Sequence, residues 1–93
     1  MTTRTTEFDA AEYLDSPEMI ATYLKVAFEE NDAALIRTAL NDVARAKGMT
    51  EVAAESKITR QALYKALGPN GNMTLETLLG VLGAIGVKLS VSG

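Results

Sequence analysis

A helix-capping residue placed just ahead of an apolar stripe of helical period recurs five times along this chain, at Ser16, Asp32, Thr50, Thr59 and Thr74. Serine, threonine and aspartate side chains accept hydrogen bonds from the free N–H groups of a first helical turn, so each position reads as a helix start. Five starts within ninety-three residues predict an all-α bundle of short helices forming one domain.

The first helix opens at Ser16, with Pro17 suited to the first helical position and Glu18 at the positive end of the dipole. Ile20, Tyr23, Leu24, Ala27 and Phe28 form its apolar stripe, and Glu29-Glu30-Asn31 closes it. Asp32 caps a second helix with Ile36, Ala39, Leu40, Val43 and Ala44 inward. Arg45 and Lys47 suit its last turn, and Gly48 its C-terminus. Thr50 is expected to cap the third helix, in which Ala53 and Ala54 are small enough for close packing. Ile58 lies in a tight turn. Thr59 caps a fourth helix with Ala62, Leu63, Ala66 and Leu67 toward the core.

Gly68-Pro69-Asn70-Gly71-Asn72 is a breaker cluster and forms a loop. Thr74 caps a fifth helix with the stripe Leu75, Leu78, Leu79, Leu82 and Ile85, ended by Gly86. Gly80 and Gly83 weaken that helix, or admit a close neighbour. Val87-Lys88-Leu89-Ser90-Val91 alternates apolar and polar residues, which predicts a short C-terminal β-strand. Such a strand needs a partner, within the chain or across a two-fold axis to a second copy. Residues 1–15 read as an N-terminal extension, frayed over Met1–Thr6, with a short helical turn capped by Asp9. Residues 16–93 read as the helical domain. Phe8, Tyr13, Tyr23 and Phe28 are expected in the core.

Composition excludes more than it selects. The chain has no histidine and no cysteine, which removes Ser-His-Asp and Cys-His catalysis and thiolate metal sites. Adjacent Glu29 and Glu30 do not converge on a helix, and GPNGN lacks the lysine and spacing of a phosphate-binding loop. No enzyme activity, cofactor or metal is expected. No apolar run is long enough for a membrane span, and the N-terminus has no secretory core, so a cytoplasmic protein is expected.

The net charge is −3, unevenly spread: residues 1–49 hold five basic and nine acidic side chains, residues 50–93 four basic and three acidic. Glu7, Asp9, Glu12, Asp15 and Glu18 form an acidic front. Lys57, Arg60 and Lys65 form a small basic patch, and it is local charge that a phosphate backbone feels.

That patch belongs to residues 50–67, two short helices about a tight turn. Arg60, Gln61, Tyr64 and Lys65 share the polar side of the second helix. Arginine pairs bidentately with guanine and glutamine with adenine, and both sit at the helix N-terminus that approaches base edges. Tyr64 suits a phosphate or a thymine methyl, and Lys65 a base or a phosphate. Thr50 and Thr59 mark helix N-termini suited to phosphate. The same polar face also fits a plain solvated helix.

The segments MTEVAAESKITRQALYKAL and NMTLETLLGVLGAIGVKL resemble the Cro/repressor-like (Xre-type) helix-turn-helix domains. With FDAAEYLDSPEMIATYL and ALIRTALNDVARAKGM, residues 7–90 resemble the addiction-module antidote proteins, HigA-like antitoxins of type II toxin–antitoxin systems. The resemblance implies a homodimeric DNA-binding protein that neutralises a RelE/ParE-like toxin and represses its own operon. It places operator contacts on Arg60, Gln61 and Lys65, with Tyr64 beside them, and on the helix start at Thr50 and Glu51. Many repressor-like domains carry glutamine at that start; this chain has none there. A stand-alone prophage-type regulator without a toxin is the alternative, and a structural adaptor that binds no DNA the third reading. The acidic front with Phe8, Tyr13 and Leu14 either docks a basic partner or simply covers the core.

Overall fold

Five α-helices follow a single 3-10 turn in a computed structural model that describes residues 10–92. The turn spans Ala10–Tyr13, and the helices are α1 (Pro17–Glu29), α2 (Ala33–Lys47), α3 (Met49–Ser56), α4 (Arg60–Leu67) and α5 (Leu75–Ile85). Glu7, Phe8, Asp9 and the expected fraying of Met1–Thr6 lie outside the described residues. No helix is long and apolar enough to cross a membrane.

Four of the five expected caps form. Ser16 Oγ accepts from the N–H of Met19, Asp32 from Ala34 and Leu35, Thr59 from Ala62, and Thr74 from Thr77. Thr50 does not cap α3. Gly48 (φ 120°, ψ 116°) alone ends α2 and begins α3, which starts at Met49 and has no side-chain cap. The Val52 N–H reaches the Gly48 carbonyl at 3.0 Å, leaving Thr50 already inside the first turn. Only glycine turns between two helices so abruptly at that φ.

The centre of the bundle is α2, which packs against α1, the 3-10 turn, α3, α4 and α5. Its Leu40 and Val43 are fully buried, together with Val52 of α3, Leu63 of α4 and Val81 of α5. Leu14, from the segment between the 3-10 turn and α1, joins this core. Tyr23 bridges α1 to α2 by donating its hydroxyl to Asp42 Oδ2 at 2.6 Å, while Asp42 Oδ1 accepts from Arg45 at 2.8 Å. Tyr23 and Phe28 pack against the core as expected, but Tyr13 is 54% exposed.

Three packing expectations hold only in part. On α4, Leu63 and Leu67 are buried but Ala62 is exposed, because an eight-residue helix resting on its neighbours buries only a narrow stripe. On α3, Ala53 is buried and Ala54 exposed. On α5 the buried face is centred on Val81, Leu82 and Ala84, which leaves Leu75 at 65% and Leu79 at 49% exposure. Gly80 faces Ser56 at the end of α3, where an added Cβ would make an ordinary contact 3.6 Å from the Ser56 carbonyl oxygen.

The expected C-terminal β-strand is absent among the described residues: residues 87–92 have no regular structure. The first of them is taken up by the end of α5. Gly86 adopts the left-handed conformation (φ 97°), and the Val87 N–H turns back to the Leu82 carbonyl at 3.0 Å, closing a Schellman cap. With no neighbouring strand to pair, alternation from 87 to 91 has no sheet to serve. The tail instead borders a cleft beside Ala21, Lys25 and Phe28 of α1.

Candidate nucleic-acid interface

The polar face singled out in the sequence is solvent-facing. Arg60, Gln61, Tyr64 and Lys65 of α4 are all exposed, while Leu63 and Leu67 of the same helix anchor it in the core. The i, i+1, i+4, i+5 spacing brings these four polar side chains onto one side of a short helix. Thr59 Oγ1 accepts from Ala62 N–H at 3.0 Å, so the hydroxyl is engaged in capping at the helix start.

Arg60 and Tyr64 act as a pair. Arg60 Nη2 lies 3.2 Å from Tyr64 Oη and can donate to it, and the guanidinium carbon stands 5.6 Å from the ring centroid. The contact combines a hydrogen bond with a cation–π attraction and narrows the positions open to a long side chain.

The approach from α3 is set by an unusual turn. Lys57 adopts the left-handed conformation (φ 62°), and the Ile58 N–H returns to the Ala53 carbonyl at 3.1 Å. This is a Schellman closure with lysine where glycine is the usual occupant. Lys57 and Arg60 are thereby both exposed around the α3–α4 turn, while Ile58 packs against the core. Thr50 and Glu51 lie in the first turn of α3, at its end remote from that turn, and both are exposed. Thr50 is thus separated from the α4 set by the length of α3. Glu55 is drawn aside toward Lys47, 3.8 Å away.

The loop after α4 is also fixed. Arg37 of α2 donates from Nη2 to the Pro69 carbonyl at 3.2 Å. Gly71 packs so tightly on the end of α4 that an added Cβ would fall 2.1 Å from the Ala66 carbonyl oxygen. Neither anchor was anticipated from the sequence. Arg37 lies beside the α2 apolar stripe and carried no signal, whereas Gly71 was legible only as a loop residue.

Also unanticipated is a second apolar surface, on α1 and α2. Met19, Tyr23 and Val26 form a stripe beside the buried one on α1, and Leu35 of α2 faces the same groove. The signal was available: Met19, Val26 and Leu35 are apolar residues left over once each helix's buried stripe is assigned.

The chain matches, over residues 4–93, the family model of probable addiction module antidote proteins. An uncharacterised protein of Haemophilus influenzae is 41% identical over 91 residues, covering 98% of this chain and 94% of that relative. No solved structure matches this chain. The chain belongs to the addiction-module antidote family.

Proposed function

From membership of an antidote family, which in general implies a toxin partner, we propose that this protein is a HigA-like, DNA-binding antitoxin. In this reading it neutralises a RelE/ParE-like toxin and represses its own operon. The α3–turn–α4 unit acts as a Cro/repressor-like helix-turn-helix, and α4 enters the major groove of double-stranded operator DNA. Arg60 and Gln61 read base edges from the helix N-terminus, Tyr64 and Lys65 supply further base or phosphate contacts, and Thr50 and Thr59 lie near the backbone. The protein works in the cytoplasm without catalysis or a cofactor.

The observation that carries the DNA reading is the exposed Arg60–Gln61–Tyr64–Lys65 face on a helix anchored in the core by Leu63 and Leu67. Its cationic content is small, since only Lys57, Arg60 and Lys65 contribute between residues 57 and 67 of a chain with net charge −3. One copy therefore binds weakly, and a homodimer presenting two such helices to successive major-groove turns is required. Leu75 and Leu79, exposed on α5, support that helix as the dimer face.

Footprinting of the chain on the DNA upstream of its own gene tests the operator reading. Binding to the product of a small basic reading frame beside the gene tests the antitoxin reading. A footprint of two half-sites one helical turn apart is expected. No protection at saturating protein contradicts the operator reading.

A further inference from the structure

The groove between α1 and α2 encloses about 640 Å³. Tyr13, Met19, Tyr23, Val26 and Leu35 supply its apolar walls, and among the described residues no lysine or arginine lines it. Met19 is 45% and Val26 54% exposed, so the walls face water. A contiguous exposed apolar surface of this kind marks an interaction site.

The rim is acidic. Glu18 lines the groove itself. Glu12 and Asp15 are exposed on the segment that carries Tyr13 and Leu14, and Asp32 is exposed at the start of α2, three residues before Leu35. Apolar walls between carboxylates suit an apolar ridge flanked by cations. A second copy of this chain would bring the same carboxylates to the groove and no lining cation among the described residues, a poorer match than a basic partner. The described walls are helical and offer no strand edge, and Met19, Tyr23 and Val26 recur at the spacing that receives the ridge of another helix.

We propose that this groove is the toxin-docking site and that it takes an amphipathic helix whose apolar face is bordered by lysine or arginine. The proposal rests on the antitoxin reading and deepens it by locating the partner surface. Among the described residues, the lining belongs to α1, α2 and the segment before α1, and none of it to α3, α4 or α5. The groove and the polar face of α4 thus use different side chains, so toxin and DNA can be held together.

The test uses the full chain and the purified product of the reading frame that adjoins its gene, with calorimetric titration at low and high salt. Val26→Glu and Leu35→Glu should each weaken binding by at least about tenfold, as expected for charge placed in the centre of an interface. Glu18→Gln should weaken it less and flatten its salt dependence. Operator affinity should not change in any of the three. Should a glutamate variant fail to fold, Val26→Ala and Leu35→Ala replace it, with smaller losses expected.

Folded groove variants that bind the product like wild type overturn the proposal and leave the antitoxin reading intact. Variants that lose self-association instead of product binding overturn it in favour of a second copy as occupant. A wild-type chain that does not bind the product overturns the antitoxin reading, and the proposal with it.

Discussion

Arg60 and Tyr64 are joined one helical turn apart on the exposed side of α4, with 3.2 Å between Arg60 Nη2 and Tyr64 Oη and 5.6 Å from the guanidinium to the ring centroid. A free arginine loses roughly 2 kcal/mol of rotamer entropy when it is fixed on a partner. In the proposed DNA-reading role, holding it over Tyr64 removes part of that cost before DNA arrives. Tyr64→Ala should therefore weaken operator binding by about 1 kcal/mol, whereas Tyr64→Phe, which keeps the ring, should lose less. Fluorescence anisotropy with operator DNA measures both, and equal affinities for wild type and Tyr64→Ala would remove the tyrosine from the reading face.

Lys57 occupies a left-handed position at φ 62° where its Cβ is unfavourable. Lys57→Gly should stabilise the fold by up to about 1 kcal/mol, because glycine's greater freedom when unfolded offsets part of the relief. The same change removes one of three cations from the α3–α4 region and should reduce the salt dependence of DNA binding. Chemical denaturation together with a salt titration checks the pair of effects; a destabilised variant would show that the lysine side chain is itself a fold contact.

Gly71 has no room for a side chain, since a Cβ would meet the Ala66 carbonyl oxygen at 2.1 Å. Gly71→Ala should destabilise by roughly 1–3 kcal/mol, the usual scale for forced overpacking. It should also loosen the loop that Arg37 ties to α2 through Pro69. Gly83→Ala is the internal contrast: nothing lies within 4 Å of its added Cβ. Replacing this glycine in the last turn of α5 should stabilise by up to about 1 kcal/mol. Thermal melts of both variants separate close packing from general glycine effects.

Leu63 fixes α4 to the core and is fully buried. Leu63→Ala should cost roughly 2–5 kcal/mol of stability. If α4 is positioned by this anchor, DNA affinity should fall in proportion to the folded fraction. A variant that melts like wild type would refute the packing described for α4.

Most of the helical framework was legible because caps and periodic stripes are local signals. Ser16, Asp32, Thr59 and Thr74 start helices where their side chains predict. Thr50 misled because Gly48 serves two helices at once, and no local rule shows that a linker has shrunk to one residue. The tail from Val87 to Val91 misled because alternation describes a strand only where a partner exists, which is a tertiary fact. Leu75 and Leu79 were assigned inward because a leucine-rich helix has more apolar residues than one buried face can use. The polar face of α4 was readable, since Arg60, Gln61, Tyr64 and Lys65 share a side that no core position needs. Its Arg60–Tyr64 contact and the strained Lys57 were not, because both depend on backbone geometry.

The central claim is that α4 reads operator DNA through Arg60. The most direct measurement is the affinity of wild type and Arg60→Ala for the DNA protected upstream of the gene, with circular dichroism on both proteins. An exposed arginine can be removed without unfolding the domain, and a bidentate arginine–guanine contact is worth roughly 1–3 kcal/mol. The account predicts a folded Arg60→Ala protein whose operator affinity falls by that amount and whose preference relaxes at one base pair. A folded Arg60→Ala protein with wild-type operator affinity would contradict it.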